Sequence, residues 1–223
     1  MTSHKDAVFE RWWPLPASLD LVHAPVARVA DLLRAEIARI LPGMPCEAEW
    51  LALDGVDALF SSVDVMTNVP TQYFALPTRS EWTVLWNNSF LCDGYDSLCH
   101  NLSRLHQVDT LHWSSSDTDT TFQAGTTFAY RRAEDGGAVA RYVQCARNDT
   151  RWSFDAQGEP LPSEPVEGYA KRIKRERLNE GVMAQILAGL GAEPWRERLR
   201  PASSTCVSRS WARTSRVAPC ATC

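Results

Sequence analysis

The residues that could do chemistry are concentrated in one stretch of the sequence, from Glu81 to Trp113. Histidine, cysteine and aspartate are the side chains that most often bind metal ions or transfer protons. Their density here makes a metal site or a hydrolase the first hypothesis to weigh. The candidate catalytic or metal-binding residues are Asp93, Asp96, His100, His106 and His112.

The spacing of these residues does not match a metal site. His100 and His106 are six positions apart, which places them far around a helix rather than on one face. Asp96 and His100 are four apart and share a face, but two ligands on one turn do not complete a site. We expect Asp96 to cap the helix and the histidines to form ordinary hydrogen bonds. No metal and no other cofactor is predicted.

Other motifs for catalysis or metal binding are absent or weak. The sequence contains no nucleophile elbow, phosphate-binding glycine loop or dinucleotide fingerprint. Cys145 lies within a predicted strand and is interpreted as a core residue. The loop from Ser114 to Asp119 has the composition of a calcium loop but lacks its glycine and its distal glutamate. A hydrolase using residues 92–112 stays open as an alternative, and the balance is against an enzyme.

Tryptophan is the residue type in clear surplus, with nine in the chain. Trp82, Trp86 and Trp113 fall in neighbouring predicted elements. If they face outward, they form a contact patch or the wall of a ligand pocket, because indole combines an apolar surface with a polar N–H. We therefore predict partner contacts at these three tryptophans and at Asp117 and Asp119.

The elements that must position these residues indicate an α+β fold. Alternation predicts strands before and after a helix from Tyr95 to His106, which suggests a crossover unit. Apolar spacing predicts a helix from Pro25 to Ile40, and Ser163 and Asn179 are predicted caps of two later helices. We expect one antiparallel or mixed sheet of about six to eight strands, with the helices packed on one side.

Composition limits both the cellular location and the partner. Without residues 199–223, which are basic, the chain has 19 basic and 27 acidic residues, a net charge of −8. An acidic body argues against binding to nucleic acid and suits a basic protein partner. No segment has the length of a membrane span, and the polar start resembles no secretory signal. We expect a cytoplasmic protein with reduced thiols.

The chain divides into one domain and a tail. Residues 1–198 are predicted to form a single α+β domain, in which residues 1–17 are an N-terminal arm. Residues 199–223 contain four arginines, no acid and no periodicity. We predict that they are disordered, and an alternative is that they are not native to the domain.

Residues 81–191 resemble small bacterial α+β proteins of toxin–immunity loci. The shared pattern comprises the Trp82 strand with its helix, the Trp152 strand, the Gly158-Glu159-Pro160 turn, a Tyr/Arg helix that begins near Glu167 and Tyr169, and a helix ending in Leu190-Gly191. The resemblance implies an intracellular α+β protein that binds and neutralises a partner toxin. A small-ligand carrier with an aromatic pocket is a further alternative.

Overall fold

The computed structural model describes residues 18–40, 42–43, 46–52, 72–88, 95–116, 124–192 and 204–210. At residues 46–52, 95–96, 116 and 204–210 only the backbone is described. The predicted N-terminal arm lies outside these ranges, as do Asp93, Asp117 and Asp119.

The described residues form one antiparallel sheet of nine strands and three α-helices. The α+β class with an antiparallel sheet is therefore confirmed. The strands are β1 Ser18–His23, β2 Cys46–Ala52, β3 Gln72–Pro77, β4 Trp82–Asn87, β5 Thr110–Ser116, β6 Gly125–Arg131, β7 Val139–Asn148, β8 Arg151–Gly158 and β9 Ser204–Ser210. The helices are α1 Val26–Ile40, α2 Tyr95–His106 and α3 Glu180–Gly189.

The strands lie in the order β2-β9-β3-β4-β1-β5-β6-β7-β8. Strands β4 and β5 both pair antiparallel with β1, which lies between them. They are consequently parallel to each other, and α2 forms the crossover that connects them. The predicted strand–helix–strand unit is thus present, with the first strand of the domain inserted into its centre.

One face of the sheet, which we call the helix face, is covered by α1 and α2. Apolar residues of α1 recur at helical spacing, and Val29, Leu33 and Ile37 are buried. Val29 and Leu33 pack with Leu85 of β4 and Leu102 of α2 in a compact core. The predicted helix thus begins and ends where proline, periodicity and the Pro42-Gly43 turn indicate.

The opposite face, which we call the tryptophan face, carries Trp82, Trp86 and Trp113. Its core is the larger of the two and is completed by residues 161–192, which include α3. The helices therefore lie on both faces, not on one side as the sequence analysis expects. The reason is that β4 is buried along its whole length, so both of its faces need a cover.

Two further segments differ from expectation. The predicted helix after Ser163 consists of two short 3₁₀ turns, Val166–Ala170 and Lys174–Glu176. Neither turn has a buried residue, so no apolar stripe stabilises a longer α-helix. In the predicted disordered tail, Ser204–Ser210 forms β9 between β2 and β3. Backbone pairing on both sides compensates for its weak strand composition.

Candidate functional site

The three tryptophans predicted to contact a partner lie inside the protein. The exposed fractions of Trp82, Trp86 and Trp113 are 8%, 7% and 2%. Leu21 and Phe128 belong to the same core cluster. The exposed tryptophan patch predicted from the sequence is therefore wrong, because the tryptophan face is covered.

A buried ion pair fixes the segment that covers this face. Arg141 of β7 and Glu164 are 4% and 0% exposed, and Nε of Arg141 lies 3.1 Å from each carboxylate oxygen. Nη2 makes a further short contact with the same carboxylate. Arg141 also donates to the carbonyl of Gly158 (2.8 Å), and Glu164 accepts from the backbone N–H of Leu161 (3.0 Å). Every one of these bonds is charge-assisted, which makes the pair a strong anchor.

Among the three predicted histidines, His112 forms a hydrogen bond with a buried carboxylate at the shortest distance. Its Nδ1 donates to Oδ1 of Asp20 at 2.7 Å, from β5 to the neighbouring β1. The Asp20 side chain is fully buried, and that of His112 is 13% exposed. A buried carboxylate that accepts from Nδ1 orients the imidazole and favours the tautomer protonated at Nδ1.

The other two predicted histidines have separate partners. Nδ1 of His100 lies 3.2 Å from the carbonyl of Gly137, and Nε2 of His106 lies 3.8 Å from Oε2 of Glu36. Glu36 of α1 is itself buried and accepts two hydrogen bonds from Arg39, of 2.9 and 2.5 Å. These bonds hold the pKa of Glu36 below its usual range, although burial acts in the opposite direction.

Among the described residues, the predicted catalytic or metal-binding side chains do not come together in one site. No group of three or more potential metal ligands occurs among the described residues. Asp96 lies in α2, where only the backbone is described, and Asp93 lies outside the described ranges. The described geometry therefore assigns His100, His106 and His112 to three separate contacts.

The described thiols and phenols are poorly suited to act as nucleophiles. Cys99 and Cys145 are both buried, and neither forms a disulfide with another described residue. Burial raises the pKa of the Cys145 thiol, which donates to the carbonyl of Lys174 (3.1 Å). Burial also raises the pKa of Tyr130, whose hydroxyl donates to Asp109 (2.6 Å). Protonated side chains of this kind are inert.

Acidic side chains are exposed at the edge of the sheet where β6 ends, β7 begins and β8 ends. Glu134 and Asp135 lie in the β6–β7 turn, and Asp155 and Glu159 lie on and just after β8. We call these four residues the acidic edge. Guanidinium nitrogens of Arg132 lie 3.7 Å from the carboxylates of both Glu134 and Glu159, so the turn and the end of β8 form one surface.

Sequence reasoning missed Asp20, Arg141 and Glu164. The sequence does contain a signal for Asp20, which is a charged residue between the apolar Leu19 and Leu21 of a predicted strand. Such a residue costs free energy unless a partner is buried with it. No comparable signal marks Glu164, which lies in an irregular segment.

None of the helices in the described part of the chain is long and apolar enough to cross a lipid bilayer. Comparisons with protein-family models, characterised proteins and solved structures find no match to this chain. The resemblance of residues 81–191 to immunity proteins therefore stays a prediction.

Proposed function

We propose that this chain is a cytoplasmic, non-enzymatic binding protein of the immunity type, which neutralises a basic partner toxin by covering its functional surface. The acidic edge is the observation that carries the proposal. Its carboxylates face solvent, and those of Glu134 and Glu159 are 75% and 80% exposed. The net charge of −8 in residues 1–198 supports the same choice of partner.

The position of the acidic edge suits an extended contact. Strand β8 is last in the sheet order, so no described strand pairs with its outer side. An outer strand offers backbone N–H and C=O groups that another chain can pair with. Carboxylates beside such an edge attract a basic segment and repel an acidic one. They therefore raise the association rate of a basic partner and select against acidic partners.

The test begins with the partner. The intact chain serves as bait in its native host, and a captured protein is then expressed with and without this chain. The proposal expects a basic partner that is toxic alone and harmless in the complex. A reproducible partner that is harmless on its own would contradict the immunity proposal.

Charge reversal then tests the surface. The triple variant E134K/D135K/E159K is compared with D31K/E81K, which reverses two exposed acids elsewhere. We expect the acidic-edge variant to slow association at least tenfold and to weaken its salt dependence, because exposed interface charges act mainly on encounter. Equal association rates for the two variants would exclude the acidic edge as the contact surface.

A hydrolase is the second candidate, and the Asp20–His112 pair is the observation that favours it. The imidazole is oriented by a buried carboxylate, as a general base requires. A panel of esters, phosphodiesters and peptides, assayed with the native chain and with His112→Gln, tests this candidate. Turnover that disappears in the variant supports a hydrolase, whereas turnover that survives excludes His112 as its base.

A further inference from the structure

A cavity of about 600 Å³ opens on the tryptophan face, where β5 ends, β6 begins, β7 ends and β8 begins, beside the start of α3. This volume is within the usual range for small-molecule sites. One wall carries the hydroxyls of Ser115 and Thr126, which lie 3.1 Å apart. The cavity is separate from the acidic edge and from the Asp20–His112 pair.

The charged groups of the lining favour an anion. Arg147 of β7 and Arg175 of the second 3₁₀ turn contribute two guanidinium groups, against one carboxylate from Glu180. Four more exposed or half-exposed bases occur in residues 171–174 and 177. Guanidinium groups bind carboxylate and phosphate through paired, planar hydrogen bonds, so two of them in one cavity favour such a head group.

The apolar part of the lining favours a flat ring. Trp152 of β8 lines the cavity and is only partly buried. Indole stacks on planar rings and does so without discriminating strongly between them. Leu178, which is 1% exposed, adds an aliphatic surface to the lining.

We propose that this cavity binds a small anion that carries a flat ring, either a carboxylate or a phosphate monoester. The ring packs on Trp152, and the charged group lies between Arg147 and Arg175. The hydroxyls of Ser115 and Thr126 are available to polar substituents of the ring. This site does not depend on the immunity proposal, since its lining and the acidic edge share no residue.

Calorimetric titration of the intact chain with benzoate, phenyl phosphate and adenosine monophosphate tests the proposal. We expect one site per chain for at least one of these probes, and weaker binding of inorganic phosphate, which has no ring. The preference between benzoate and phenyl phosphate identifies the head group. Failure of all three ring-bearing anions to bind at millimolar concentration would overturn the proposal.

Matched variants locate the site. Arg175→Ala removes a lining guanidinium, whereas Arg172→Ala removes an exposed base of the same segment that does not line the cavity. We expect Arg175→Ala to weaken binding about tenfold or more, Arg175→Lys to weaken it less, and Arg172→Ala to leave it unchanged. Glu180→Gln removes the opposing carboxylate and is expected to strengthen binding.

Two results would overturn this assignment. Equal losses in Arg172→Ala and Arg175→Ala would indicate diffuse attraction to the basic surface rather than a cavity. The same conclusion would follow if a single-stranded oligonucleotide bound far more tightly than adenosine monophosphate, with an affinity that rises with its length and falls steeply with salt.

Discussion

The two faces of the sheet are covered in different ways. On the helix face, two regular helices pack through aliphatic side chains, and α1 follows β1 directly along the chain. On the tryptophan face, the cover is a largely irregular segment, residues 161–179, followed by α3. The first cover is stabilised by periodic apolar contacts, whereas the second also needs a buried ion pair.

This difference has a physical reason. A regular helix satisfies its own backbone hydrogen bonds, so an apolar stripe is enough to hold it on a sheet. An irregular segment leaves backbone groups to be satisfied individually. The Arg141–Glu164 pair does this at the start of the segment, because it binds the carbonyl of Gly158 and the N–H of Leu161.

The largest effect is expected from Glu164→Ala. This change leaves the guanidinium of Arg141 buried without its carboxylate, which costs about 3–5 kcal/mol of unfolding free energy. Urea unfolding followed by tryptophan fluorescence measures the loss. The control is Glu159→Ala, an 80% exposed acid near Arg132, for which at most about 1 kcal/mol is expected. Similar losses in both variants would show that the buried pair is not the anchor.

Core truncations test whether the two faces are independent. Ile186 of α3 and Leu102 of α2 are both fully buried, one on each face. Each change to alanine is expected to cost about 2–5 kcal/mol. The losses should add to within about 0.5 kcal/mol in the double variant, since the two side chains belong to different cores. A larger deviation would mean that the faces act as one core.

The helix face could be predicted from the sequence in more detail than the tryptophan face. Helix α1 follows from apolar residues at spacings of three and four, and the structure has it at Val26–Ile40. For residues 166–176 the sequence offers only a weak stripe among basic residues. A prediction based on periodicity therefore assigns a helix where the structure has two 3₁₀ turns.

The candidate site shows the same limit. Local density of histidine and aspartate identified His112, but its partner Asp20 is 92 positions away in the sequence. Trp82 and Trp86 are four positions apart in β4 and therefore lie on one face of the strand. Whether that face is open or covered depends on residues 161–192, about 80 positions later, and no local pattern contains this information.

Asp20→Asn tests the buried hydrogen bond between Asp20 and His112. The substitution keeps the shape of the side chain but removes the charge that His112 binds, within a fully buried site. We expect a loss of about 1–3 kcal/mol in unfolding free energy at neutral pH. Glu81→Gln is the control, because the carboxylate of Glu81 is 85% exposed beside His23. An unchanged Asp20→Asn variant would show that the pair contributes no net stability.

The smallest effect is expected at Glu36, and it depends on pH. The folded-state pKa of Glu36 is lowered, chiefly by its hydrogen bonds to Arg39. A lowered pKa stabilises the folded state above the ordinary value of 4.5, and this contribution disappears as the pH falls through the folded-state value. Glu36→Gln should therefore be about 1 kcal/mol less stable than the native chain at pH 7.

The difference between the two chains should shrink in acid, because a protonated glutamate resembles glutamine in charge and shape. Unfolding measured from pH 7 down to the acid limit of folding tests this. Asp31→Asn is the control, since its ion pair with Arg34 joins side chains that are 63% and 43% exposed. A difference that stays constant with pH would attribute the effect of Glu36→Gln to packing between α1 and α2 rather than to charge. In that case apolar contacts alone would hold α1 and α2 on the sheet, whereas the cover of the tryptophan face also depends on the Arg141–Glu164 ion pair.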